Sequence, residues 1–149
     1  MIYQGESIRV DFIEPGFAEL QFDAKGSVNK FDQATLEEFS EALTKLQNTD
    51  DLRGVIVTSS KSTFIVGADI TEFLTLFSDQ EKTRSWVAKA SRVFDQLEDL
   101  PVPTVGAVTG FALGGGCEAL LACDYRVADT TATIGLPEVK LGLIPGFGG

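Results

Sequence analysis

Two glutamates stand in stretches that are otherwise apolar or glycine-rich, and their surroundings make them candidates for acid–base chemistry. Glu118 follows the triplet Gly114–Gly116 after one intervening residue, and Glu138 follows Pro137 in the run Ile134–Val139. Paired carboxylates in a dry pocket can have their pKa values pushed apart, so that one serves as acid and the other as base. A lone glutamate in the first turn of a helix can also simply interact with the helix dipole. The sequence does not determine whether the two side chains meet.

The glycine triplet offers a second chemical possibility, because it lies between a predicted strand and a predicted helix. Backbone N–H groups at such a helix start are free and favour negative charge. A phosphate loop would require Gly-Lys-Ser/Thr, whereas Cys117 and Glu118 follow here, and the dinucleotide fingerprint is also absent. A carboxylate at this point disfavours phosphate but tolerates an enolate on a neighbouring amide. The alternative is a tight joint that needs small residues for packing.

The run Phe64–Ile70 is a third candidate, because Gly67 and Ala68 interrupt an apolar stretch. Small residues there would allow a bent backbone with an exposed N–H group. A buried strand that turns is the alternative interpretation.

Composition excludes several classes of chemistry. The 149 residues contain no histidine, which excludes a Ser-His-Asp triad, a Cys-His dyad and a histidine-ligated metal. Cys117 and Cys123 fit neither a disulfide framework nor a zinc pattern, so we expect two buried or half-buried thiols. The net charge of -10 argues against nucleic-acid binding. We find no transmembrane run and no secretory signal, so we expect a cytoplasmic protein.

The first part of the chain predicts a hairpin followed by a helix and a buried strand. Apolar residues alternate with polar ones over 8–12 and 18–22, and the turn sequence Glu14–Gly16 lies between them. A helical stripe runs over 36–46, which either Asp32 or a capping box of Thr35 and Glu38 would start. The apolar run Gly54–Thr58 is typical of a strand in a parallel sheet.

The second part continues this alternation. We predict a helix that starts near Asp69, a long helix over 79–99, a strand over 104–108, a glycine-rich loop over 110–116, a helix over 117–123 and a strand over 125–128. This order indicates an α/β layer fold. Because two glycines are a poor anchor for a domain end, we expect residues 1–149 to be a partial domain.

Several motifs resemble those of the crotonase (enoyl-CoA hydratase/isomerase) superfamily. They are Ser27–Phe31, Phe64–Ile70, Ala107–Glu118, Ile134–Gly142 and Ile144–Gly149, in the order in which the family has them. The resemblance implies a crotonase-like ββα spiral with its C-terminal part missing.

A closer resemblance is to the branch of this superfamily found in the α-subunits of fatty-acid β-oxidation complexes. The runs 64–73, 98–105 and 145–149 carry it. It implies hydration of 2-enoyl-CoA, isomerisation of 3-enoyl-CoA, and an oligomer with a thiolase β-subunit. No dinucleotide fingerprint accompanies it, so only the first activity of those multifunctional enzymes is expected here.

The resemblance also implies roles for individual residues. The N–H groups of Ala68 and Gly115 would hold the thioester oxygen of an acyl-CoA, Glu118 would act as base toward water, and Glu138 would give a proton to C2. Gly146 would help to place the catalytic water. No metal and no cofactor are expected, since coenzyme A is part of the substrate. Further residues of the acyl-CoA loop would be Ile65, Gly67, Asp69 and Ile70.

Two further expectations concern departures and charge. Phe111 stands where the family commonly has tyrosine, which we expect to change packing only. Lys25, Lys30 and Lys61 are candidates for binding the phosphates of coenzyme A, although an ordinary solvated lysine is the more common case for any one of them. The alternatives are another crotonase-type acyl-CoA reaction, a binding module, and a silent fragment that binds a partner subunit.

Overall fold

A six-stranded mixed sheet forms the centre of the computed structural model, which describes residues 1–76 and 78–149 and, for Phe73, the backbone alone. The strand order is β1-β2-β3-β4-β5-β7, with antiparallel pairing from β1 to β3 and parallel pairing from β3 to β7. A second, two-stranded parallel sheet pairs β6 with β8. The strands are β1 Tyr3–Gln4, β2 Ile8–Glu14, β3 Phe17–Phe22, β4 Gly54–Ser59, β5 Thr104–Val108, β6 Phe111–Leu113, β7 Tyr125–Ala128 and β8 Thr133–Gly135.

Among the described residues, four α-helices and one 3-10 helix accompany these strands. They are α1 Gln33–Gln47, α2 Ile70–Leu76, α3 Gln80–Glu98, α4 Gly115–Leu121 and the 3-10 helix Pro137–Leu141. Of the two caps predicted for α1, the structure uses Asp32, whose carboxylate accepts from the N–H of Thr35 at 2.7 Å. The carboxylate of Asp79 caps α3 in the same way, accepting from Lys82 N at 3.1 Å.

The core lies between the sheet and helices α1 and α3. Strand β3 alternates as predicted, with Ala18, Leu20 and Phe22 buried. Phe22 and Phe39 pack edge to face with ring centroids 5.2 Å apart, and Phe31 and Phe94 join the same cluster. The predicted α/β layer arrangement is confirmed. Both cysteines are buried and free, as expected. No helix among the described residues is long and apolar enough to cross a membrane.

The prediction of a loop over 110–116 and a helix over 117–123 was wrong. Residues 111–113 form β6, and α4 runs from Gly115 to Leu121. The strand forms because β8 pairs with it from about twenty residues further along the chain, with Ala112 opposite Ile134. The helix begins two residues earlier than predicted, and Gly115 and Gly116 occupy its first turn. Glycine has a poor helix propensity, so the sequence does not indicate this early start.

Close packing requires glycine at position 116. A Cβ atom placed there would lie 2.1 Å from the carbonyl oxygen of Ile65, far inside van der Waals contact. The first turn of α4 therefore lies directly against the backbone of the segment 65–67.

We predict that Gly116→Ala destabilises the protein although alanine favours helix. The methyl group must displace the backbone at Ile65, so we expect a net loss of about 2 kcal/mol in the free energy of unfolding. Urea unfolding followed by circular dichroism measures it. Gly135→Ala is the matched control, because a Cβ there comes no closer than 4.0 Å to Leu113 Cδ2. Equal stability of the two variants would contradict the packing described.

Candidate active site

Two backbone segments, 64–69 and 111–116, lie side by side and form one wall of the candidate site. The N–H of Leu113 donates to the carbonyl of Ile65 at 3.0 Å, and the N–H of Phe64 donates to Phe111 at 3.0 Å. Each segment bends at a glycine with positive φ, which is +106° at Gly67 and +52° at Gly114. These conformations strongly favour glycine, so the bend at each segment is encoded in the sequence.

Two free N–H groups result from this arrangement, at Ala68 and Gly115. The N–H of Phe31 donates to Gly67 and the N–H of Asp69 donates to Phe31, both at 2.8 Å, so the N–H of the intervening Ala68 points away from that bridge. Gly115 is the first residue of α4 and has no intrahelical acceptor. Within the described part of the chain, neither N–H donates a hydrogen bond.

An apolar cleft of about 320 Å³ opens beside these two groups. Residues from α2, α3, the start of α4 and the C-terminal segment surround it. Its lining consists of Val66, Gly67, Ala68, Ile70, Leu74, Trp86, Val87, Leu113, Gly114, Gly115, Glu118, Pro137, Glu138, Leu141, Leu143, Ile144, Gly146 and Phe147. Two free amides and two carboxylates thus share one largely apolar cavity.

Glu118 is buried in this cleft, with 3% of its surface exposed. Its Oε1 accepts from the N–H of Phe147 at 2.7 Å and from the N–H of Gly149 at 3.0 Å. Burial raises the pKa of Glu118, the two N–H donors oppose that rise, and the charge of Glu138 adds to it. A carboxyl group with a raised pKa in a cleft is suited to proton transfer.

Glu138 approaches the same cleft from the first turn of the 3-10 helix, where Pro137 is the first residue. Its Oε2 is buried and finds no hydrogen-bond partner among the described residues. Its Oε1 lies so close to Gly114 that a Cβ there would be 2.8 Å away. Glycine at position 114 therefore leaves room for this carboxylate as well as permitting the bend. A buried oxygen without a partner is available to a ligand.

The structure brings most of the predicted site residues together, and two lie elsewhere. Ile65 is fully buried in the core and touches the cleft with no side-chain atom. Asp69 caps α2 by accepting from Thr71 N at 2.9 Å and pairs with Lys30. The predicted site residues that line the cleft are Gly67, Ala68, Ile70, Gly115, Glu118, Glu138 and Gly146.

The three candidate phosphate-binding lysines all form ion pairs. Lys25 pairs with Glu6 at 2.9 Å, Lys61 pairs with Asp23 at 2.9 Å, and Lys30 pairs with Asp69. None of them lines the cleft. Their predicted role with phosphate stays a prediction.

Sequence reasoning missed the contribution of α3 and of the last residues. Trp86 and Val87 fit the helical stripe that predicts the core, and nothing in their spacing indicates a place in the cleft. The N–H groups of Phe147 and Gly149 have no sequence signal, because a backbone donor is present at almost every residue. In residues 1–76 and 78–149, no group of three metal-ligating side chains is arranged to hold a metal ion.

Comparison with known proteins gives consistent matches. The family described as enoyl-CoA hydratase/isomerase matches residues 13–149. The chain is 63% identical over 150 residues to the fatty acid oxidation complex subunit alpha of Colwellia psychrerythraea, covering all of this chain and 21% of that protein.

Solved structures match as well. An enoyl-CoA hydratase from Bacillus anthracis has a TM-score of 0.88 at 35% identity, over 95% of this chain and 55% of that one. The corresponding protein from Geobacillus kaustophilus has a TM-score of 0.89 at 32% identity, over 99% of this chain and 55% of that one. These matches confirm the predicted crotonase-like fold. The chain spans about half the length of these structures and about a fifth of the Colwellia relative.

We predict that Glu118→Gln raises the free energy of unfolding above that of the parent, by an amount that grows as the pH rises. Because the pKa of Glu118 is raised in the folded state, the protonated form contributes stability that is complete below the unfolded value of 4.5 and is lost as the pH rises through the folded value. Glutamine keeps an acceptor for both N–H groups and never ionises. Urea unfolding from pH 4 to pH 8 should show parent and variant equal at the acidic end and diverging above it.

The control for this series is Glu14→Gln, which changes an exposed carboxylate at the end of β2. We expect that variant to follow the parent at every pH. A stability difference for Glu118→Gln that does not change with pH would contradict burial of an ionisable carboxyl group.

Proposed function

Since the chain belongs to the enoyl-CoA hydratase/isomerase family, we propose that it hydrates 2-enoyl-CoA to 3-hydroxyacyl-CoA in fatty-acid β-oxidation and isomerises 3-enoyl-CoA to 2-enoyl-CoA. The observation that carries the proposal is the convergence of two free N–H groups, at Ala68 and Gly115, with two carboxylates in one apolar cleft. Hydration or isomerisation of an enoyl thioester needs both kinds of group: hydrogen-bond donors to the thioester oxygen, and acid–base groups that transfer protons at the acyl chain.

The N–H groups of Ala68 and Gly115 form the proposed oxyanion hole. As a nucleophile adds at C3, negative charge moves through C2 onto the thioester oxygen, which becomes an enolate. Fixed amides in a water-poor cleft stabilise that developing charge, and removal of one such donor typically costs about 3–4 kcal/mol of transition-state stabilisation. Because the donors belong to a rigid backbone, they require little reorganisation during the reaction.

Glu118 and Glu138 supply the proposed proton transfers. In hydration, Glu118 removes a proton from water as the oxygen bonds to C3, and Glu138 delivers a proton to C2 as the enolate collapses. One water is consumed and the C2–C3 double bond becomes single. Gly146, whose backbone also lines the cleft, helps to place that water in this scheme.

Isomerisation uses the same oxyanion hole and one carboxylate. We assign the transfer to Glu138, which would remove a proton from C2 of a 3-enoyl thioester and return it at C4. The partner-free Oε2 of Glu138 supports this assignment, because no described group competes for the proton.

The relative named as an oxidation-complex subunit supports a proposal about partners. We propose that the protein acts in the cytoplasm on acyl-CoA as part of an oligomer with a thiolase β-subunit. Another crotonase-type acyl-CoA reaction is the main alternative. The presence of both glutamates in the cleft favours hydration over reactions that need only one of them.

We predict that Glu118→Gln and Glu138→Gln each lower kcat for crotonyl-CoA hydration by about 10²–10⁴-fold, the usual contribution of a positioned acid or base. Loss of the conjugated-thioester absorbance measures the rate in the intact protein. Glu98→Gln, at the exposed end of α3, is the control and should retain the parental rate. Full activity in either cleft variant would refute the role given to that glutamate.

We also propose that hydration needs no metal, because backbone amides polarise the thioester oxygen. Prolonged dialysis against EDTA should leave kcat within about twofold of its starting value, since none of the proposed steps draws on the water activation or charge stabilisation that a metal ion can supply. Activity that falls on dialysis and returns on addition of a divalent cation would contradict the proposal.

A further inference from the structure

The segment 146–149 is fastened to α3 at two points. The ring of Phe147 is 8% exposed and lies between Trp86 and Phe94, with ring-centroid distances of 5.2 Å and 5.3 Å. The carbonyl of Gly146, the residue before Phe147, accepts a hydrogen bond from the hydroxyl of Ser91 at 3.1 Å. The aromatic contacts fix where the segment lies, and the hydroxyl contact fixes the carbonyl direction of the peptide that carries the Phe147 N–H.

This fastening places two donors on Glu118. The N–H groups of Phe147 and Gly149 both donate to Oε1, whereas Oε2 accepts no hydrogen bond from a described residue. One carboxylate oxygen is thus held by the backbone, and the other is free to reach a molecule in the cleft.

The charge on Glu118 depends on these donors because the other ionisable groups around it are acidic or neutral. Glu138 faces it from the 3-10 helix and Cys117 precedes it on α4. Among the described residues, no lysine or arginine forms an ion pair with Glu118. Hydrogen bonds from N–H groups are therefore the contacts that favour its ionised form against burial.

We propose that Ser91 and Phe147 are positioning residues, which act by holding the Phe147 and Gly149 amides on Glu118 so that its carboxylate is oriented and ionised for proton transfer from water. This inference rests on the proposed function, in which Glu118 is the base. It extends the site to α3, which holds the segment 146–149 in place.

The test compares Ser91→Ala and Phe147→Leu with the parent protein in its intact form. Loosening the segment weakens both N–H contacts, and these contacts lower the pKa of Glu118, so the pKa must rise. We expect the acidic limb of the kcat/KM–pH profile for crotonyl-CoA to move to higher pH, with a loss of about two- to tenfold below the limb and recovery above it.

Ser40→Ala is the matched control, because the Ser40 hydroxyl likewise donates to a residue far along the chain, Gln96 Oε1 at 2.7 Å, but outside the cleft. It should leave the profile unchanged. Near-UV circular dichroism identifies any variant that has lost its packing, and Phe147→Leu tests the same connection through a different contact if Ser91→Ala has little effect.

A second readout separates this inference from the proposed function. Carbon-13 NMR of labelled glutamate, assigned with Glu118→Gln, follows ionisation of Glu118 without any turnover. If the parent does not hydrate crotonyl-CoA but the Glu118 titration still moves in both variants, the proposed function fails and the positioning role stands. If both variants are folded and the titration of Glu118 is unchanged, the positioning role is overturned.

Discussion

The close approach of two backbone segments, 65–67 and 114–116, is the constraint on which the site depends. A side chain at Gly116 would collide with the carbonyl oxygen of Ile65, and a side chain at Gly114 would collide with the carboxylate of Glu138. Because both positions are glycine, α4 starts against the bent loop that carries Ala68. The same contact therefore places both amides, together with Glu118 from the first turn of α4, along the wall of one cleft.

Burial of the Glu118 carboxylate and of one Glu138 oxygen in an apolar cleft opposes folding, since an ionised group is costly to remove from water. The structure offsets part of this cost at Glu118 with backbone amides rather than with a cation. An ion pair would also lower the proton affinity of the carboxylate and limit its use as a base. Amide donors supply orientation and moderate stabilisation together, which suits the proton-transfer role that we propose for Glu118.

Much of this architecture is predictable from sequence where a local pattern determines it. The alternation in β3, the stripe and Asp32 cap of α1, and proline at the start of the 3-10 helix each follow from near neighbours in the chain. The motifs also mark Glu118 and Glu138 as candidate acid–base residues. Patterns fail where the partner is distant: β6 forms only because β8 pairs with it, which moves the start of α4 to Gly115.

The site shows the same division between local and distant information. Residue type marks the glutamates and the glycines, but the free N–H of Ala68 exists because Phe31, far away in sequence, bonds to the residues on either side of it. The positions of the Phe147 and Gly149 N–H groups likewise depend on the packing of the Phe147 ring against Trp86 and Phe94. Every residue except proline carries a backbone N–H group, so only a folded structure reveals which of these donors are free.

The most direct test of the account is the infrared stretching frequency of the thioester carbonyl in bound crotonyl-CoA, labelled with carbon-13 at C1. If the amides of Ala68 and Gly115 hold the carbonyl oxygen, the band of the bound ligand should move to lower frequency than that of free crotonyl-CoA. The shift should persist in Glu118→Gln and Glu138→Gln, which leave the backbone donors in place. Binding without any shift of the carbonyl band would contradict the central claim that this cleft polarises an acyl thioester.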